Sequence, residues 1–69
     1  MPYVHVRITP DNATRERKAR VIRGITDLLV RELDKKPEET FVVIEEVATD
    51  DWGIAGETAT ARRAKAGGQ

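Results

Sequence analysis

Cysteine is absent from this chain of 69 residues, and histidine, tryptophan, tyrosine and phenylalanine occur once each. Without thiols there is no disulfide scaffold and no thiolate metal site, and His5 cannot build a metal site alone. Net charge is missing too. Twelve basic residues balance twelve acidic ones, which argues against a nucleic-acid partner. No apolar run approaches the ~20 residues that span a bilayer, and no signal-peptide pattern opens the chain. A cytoplasmic address with no membrane partner is therefore expected. What is present is 39% hydrophobic residues, enough for one small globular domain. A domain of about 60 residues buries only about 60% of its unfolded surface. With no staple available, oligomerisation is the expected remedy.

Residues 2–9 alternate, with Val4, Val6 and Ile8 on one face and Tyr3, His5, Arg7 and Thr9 on the other, the period-two pattern of a strand. Pro10, Asp11 and Asn12 end it. Thr14 is an expected N-cap for a helix over about 14–34, in which Val21, Ile22, Ile25, Leu28, Leu29 and Leu33 keep three-four spacing. Gly24 falls inside that pattern, where glycine often marks close packing. The helix should stop near 35–37, before Pro37. Residues 40–48 read as a second strand, and the apolar run 41–44 suits burial on both faces. Strand, helix and strand form a βαβ unit with parallel strands and a right-handed crossover. One helix covers one sheet face, so the other face needs another subunit. The glycines of 52–57 suggest a short hairpin. A domain over 1–58 and a basic tail over 59–69, frayed at its end, complete the expectation.

The Met1-Pro2 start, the strand-helix-strand spacing, the run Val42-Val43-Ile44-Glu45-Glu46-Val47 and the segment Trp52-Gly53-Ile54-Ala55-Gly56-Glu57 together resemble the 4-oxalocrotonate tautomerase family over about residues 2–57. The resemblance implies an α/β fold made of a single βαβ unit with a short C-terminal hairpin, a four-stranded sheet per dimer, and a homohexamer. It implies a cofactor-independent isomerase acting on a small-molecule carboxylate by keto-enol tautomerisation. Pro2 would be its catalytic residue. Trp52 would stand at the active-site wall with Ile54, and Thr9 at the pocket floor.

The chemistry of such a terminus follows from the residue itself. Removal of Met1 leaves Pro2 as a secondary amine, whereas retention leaves its nitrogen an amide. An α-amino group has a reference pKa of about 8, and an apolar pocket disfavours its cationic form. A base poised near the working pH suits proton abstraction beside a carbonyl, and once protonated it can return the proton to another carbon.

The sequence departs from the resembled pattern at the arginines that hold a dicarboxylate. Asn12 or Ala13, and Phe41, stand where family members carry them. Arg15, Arg62 and Arg63 are the replacement candidates for holding a carboxylate, although each also reads as a solvated surface residue. Asn12 could donate to a carbonyl or make an Asx turn. Charge is segregated: residues 38–57 hold seven acids and no base, leaving twelve bases and five acids elsewhere. Arg7 reads as a cross-strand partner of Glu45 or Glu46, and His5 as a surface histidine without a visible acidic partner. Glu45 and Glu46 are adjacent on a strand and face opposite ways, so they make no dyad. The alternatives are a hydratase or dehalogenase on the same fold, or a non-catalytic oligomeric binding module.

Overall fold

The computed structural model describes residues 1–67. Strand β1 (Tyr3–Ile8) and strand β2 (Phe41–Glu46) pair in parallel, with Tyr3 opposite Phe41 and Ile8 opposite Glu46. The alternation read from the sequence sets their faces. Val4, Val6, Ile8, Val42 and Ile44 are half-buried on the helix side, while Tyr3, His5, Arg7, Phe41, Val43 and Glu45 face outward. The run 41–44 is therefore not buried on both faces within one chain, because Phe41 stays 49% and Val43 43% exposed.

Helix α1 (Arg15–Leu33) crosses between the strands. The Thr14 hydroxyl accepts from the Arg17 N–H at 3.2 Å, satisfying one of the free donors of the first turn. Thr14→Ala is expected to cost about 1 kcal/mol, read as a lower urea midpoint; an unchanged midpoint would show that water replaces the cap. The helix ends before Pro37 exerts any effect. Asp34 takes a left-handed conformation (φ 54°) and its N–H reaches the carbonyls of Leu29 and Val30. Of the apolar stripe, Ile25 and Leu29 are half-buried, but Val21, Ile22, Leu28 and Leu33 remain 39–58% exposed. A Cβ at Gly24 would meet nothing within 4 Å, so no close packing occurs there inside one chain.

The short strands β3 (Gly53–Ile54) and β4 (Glu57–Thr58) form the expected hairpin. Its two central residues, Ala55 and Gly56, both have positive φ (52° and 83°), the geometry of a tight primed turn. The segment expected as a basic tail is instead helical, forming α2 (Ala59–Ala66). Thr58 caps it by accepting from the Ala61 N–H at 3.0 Å. Four alanines in eight residues explain the helix, since alanine has the best helical propensity. The fraying expected at the chain's end concerns positions 68 and 69, which lie outside the described residues.

Ala59, 6% exposed, is the one buried apolar residue among those described. The chain exposes 5400 Å², against roughly 4300 Å² for a compact monomer of its mass. Its radius of gyration is 15.7 Å, against about 11 Å for a compact domain of this length. The molecule is a slab of 46 × 25 × 16 Å with its sheet uncovered on one side.

Candidate active site

An open groove of about 820 Å³ lies where the C-terminal end of β1 meets the hairpin and α2. Ile8, Trp52 and Ile54 supply apolar wall, Thr9 borders it, and Arg62 and Arg63 arrive from α2. Trp52 is held by three hydrogen bonds, of which the backbone N–H to the Thr49 carbonyl, at 3.4 Å, is the longest. Its indole N–H donates to the Val47 carbonyl at 3.1 Å, and its own carbonyl accepts from the Ala59 N–H at 2.9 Å. Val47 is tied in turn to β1, its N–H donating to the Ile8 carbonyl at 2.8 Å. The aromatic wall is therefore fixed to the sheet end through backbone hydrogen bonds. On its far side, α2 is pinned by Thr60, whose hydroxyl donates to Asp50 at 2.5 Å.

A polar latch joins α2 to the loop after β1. Arg63 donates through both terminal nitrogens to the two oxygens of Asp11, at 2.9 and 2.7 Å, and Thr9 donates to the same carboxylate at 2.5 Å. This fork geometry is the strong form of a charge-assisted pair. The Arg63 hydrogen bonds, then that of Thr9, hold the Asp11 carboxyl well below the usual carboxylate range, and Asp11 raises the Arg63 guanidinium in return. Because the folded carboxyl titrates below its ordinary value of 3.8, the latch contributes fully above that pH and is lost as pH falls below it. The stability gap between the wild type and Asp11→Asn, read by Trp52 fluorescence in urea, should be open at neutral pH and close in strong acid. A gap that widens on acidification would contradict the latch.

Glu45 forms a second cluster on the open sheet face. Its Oε1 accepts from Arg7 Nε at 3.1 Å and lies 2.8 Å from His5 Nε2. Arg7, then His5, lowers the Glu45 pKa. Glu46 points the other way, onto Lys18 of α1 at 2.7 Å. The two glutamates do face opposite sides. The acidic partner of His5 was invisible in the sequence because it sits across the strand pair, 40 positions away.

A model of the family described as "Tautomerase enzyme" matches residues 2–62. The chain belongs to the tautomerase family. It is 53% identical over 66 residues to probable tautomerase K2 of Dickeya dadantii, covering 96% of this chain and 98% of that protein. Among solved structures, DmpI from Helicobacter pylori matches with a TM-score of 0.84 at 33% identity, over 90% of this chain and 96% of its own. A 4-oxalocrotonate tautomerase isozyme from Methylibium petroleiphilum matches with a TM-score of 0.85 at 30% identity, over 93% and 98%.

Within this tautomerase fold, Thr9, Trp52, Ile54, Arg62 and Arg63 come together in the groove. The other three candidates do not join them in one chain. Pro2 opens the opposite end of β1, where its carbonyl accepts from the Phe41 N–H at 3.0 Å. Six strand residues, about 20 Å of rise, separate it from Thr9. Asn12 adopts a left-handed turn conformation (φ 55°), and its carbonyl accepts from Arg17 at 3.3 Å. Arg15 is an exposed first-turn residue of α1. Glu57, Ala59 and Lys65 also line the groove and escaped the sequence reading. Glu57 comes from β4, whereas only recognition of α2 as a helix brings Ala59 and Lys65 there, and its alanine content was the available signal. Among the described residues, no group of three His, Cys, Asp or Glu side chains is placed to hold a metal ion. No described helix is long and apolar enough to cross a membrane.

Proposed function

We propose that the protein is a tautomerase that interconverts the enol and keto forms of a 2-hydroxydienoate or related 2-oxo acid, using the amine of Pro2 as base and then acid. Tautomerase activity in the broad sense is what family membership supports. The observation that carries the finer reading is the groove, where an apolar wall of Trp52 and Ile54 faces arginines of α2. An apolar wall keeps an amine neutral, and a guanidinium holds the carboxylate next to the reacting carbons. Neutral Pro2 takes the proton from the enol hydroxyl, the electron pair moves along the conjugated chain, and the ammonium returns the proton to carbon. The reverse reaction begins with proton abstraction beside the carbonyl. No atom is gained or lost.

Pro2 and the groove stand at opposite ends of β1, so this reading joins the proline of one copy to the groove of another. The uncovered sheet face and the excess surface support an oligomer, and the family resemblance implies a hexamer with a four-stranded sheet in each dimer. The test is ketonisation of an enol acid, followed by its ultraviolet absorbance, with protein whose intact mass lacks one methionine. Turnover by that form and none by a Met1-retaining form supports Pro2; equal turnover by both forms removes it.

A further inference from the structure

Four cations border the groove, and three of them are already engaged. Arg7 donates to Glu45 at 3.1 Å, Lys65 is bound to Glu57, and Arg63 commits both arms of its guanidinium to Asp11. Among the described residues Arg62 has only Glu57 at 3.7 Å, longer than a hydrogen bond, and Lys65 shares that carboxylate. Among the described residues Glu57 is the one acid lining the groove, and the rest of the wall is largely apolar.

On the reading of this groove as the substrate pocket, we infer that it is built for a monocarboxylate, received by Arg62, while Asp11 withholds Arg63 from any second carboxylate. The Asp11–Arg63 pair is intramolecular and bidentate, so a dissolved ligand competes against a high effective concentration of carboxylate. A diacid placed on Arg62 would leave its far carboxylate among Ile8, Ile54 and Trp52 and cations that Glu45, Glu57 and Asp11 already pair. Burying such a charge unpaired is costly. A monoacid puts carbon there instead, where apolar contact is favourable.

Trp52 is the single tryptophan and lines the groove, so its fluorescence reports occupancy without turnover. The experiment titrates the full chain with sorbate and with trans,trans-muconate, a matched six-carbon pair that differs by the second carboxylate. Neither carries the 2-hydroxyl, so neither is a substrate. Sorbate should bind roughly tenfold or more tightly than muconate, and Arg62→Gln should weaken sorbate binding roughly tenfold or more. Asp11→Asn should release Arg63 and narrow the preference by improving muconate. Muconate binding as well as sorbate to the wild type would overturn the inference. So would sorbate binding unaffected by Arg62→Gln, an unchanged preference in Asp11→Asn, or no binding of either acid. Failure of the tautomerase reading looks different: sorbate binds as expected, yet no enol acid is turned over.

Discussion

Replacing Pro2 with alanine should reduce ketonisation of an enol acid by about 10²–10⁴-fold, the range that a positioned general acid-base group supplies. Alanine also permits methionine removal, so the variant keeps an amino terminus but loses the ring that holds the secondary amine in one orientation. Its fold should survive. The contribution of Pro2 to the sheet is its carbonyl, which accepts from Phe41, and alanine supplies the same carbonyl. Circular dichroism superimposable on the wild type, together with the activity loss, would assign the proton transfer to this residue. A variant that turns over enol acids at the wild-type rate would remove Pro2 from the chemistry and favour the binding-module alternative. The comparison must be made on protein whose mass shows the methionine absent, because an amide nitrogen is no base in either variant.

On the proposal that another copy covers the open sheet face, Val43→Asp should break the assembly and abolish turnover together. Val43 lies opposite His5 on the open sheet face, beside the paired Tyr3 and Phe41, all of them exposed in the single chain except for the more sheltered His5 side chain. Aspartate there adds a carboxylate two positions from Glu45 on the same face. If another subunit covers this face, the new charge is buried beside a like charge. An uncompensated buried charge costs about 3–5 kcal/mol, which weakens association more than roughly hundredfold. Sedimentation should show a smaller species, and turnover should fall with it because Pro2 and the groove are parted. A variant that sediments like the wild type would show that this face is not an interface. Either no assembly forms in that case, or it forms through the apolar side of α1, where Val21, Leu28 and Leu33 are exposed.

The legible parts of the fold were those written in short-range periodicity. Alternation at Val4, Val6 and Ile8 places these side chains on the helix side of the sheet, and the three-four spacing from Val21 to Leu33 gives α1. The Met1-Pro2 start, the strand-helix-strand spacing and the segments 42–47 and 52–57 carried the family, which the match over residues 2–62 bears out. Misreadings arose where a local cue had no tertiary neighbour. Gly24 suggested close packing but meets open space, and the run 41–44 suggested two-sided burial although one side has no cover in the single chain.

The site divides in the same way. The family resemblance marked Trp52, Ile54, Thr9, Arg62 and Arg63, because Trp52 heads the glycine-containing segment 52–57 and the arginines align near basic residues at the end of relatives. Whether those arginines are free is a matter of partners 52 positions away for Arg63 and five for Arg62, and spacing alone does not reveal such pairs. By itself the sequence determined the strand-helix-strand unit, the family and the identity of the chemical groups, since these depend on neighbours within a few residues. Only the tertiary structure decided that Asp11 occupies Arg63, that α2 folds over the groove, and that Pro2 stands a full strand's length from Trp52. Those facts depend on where distant segments come to rest, and that is set by the packing of α1 and α2 against the sheet and hairpin.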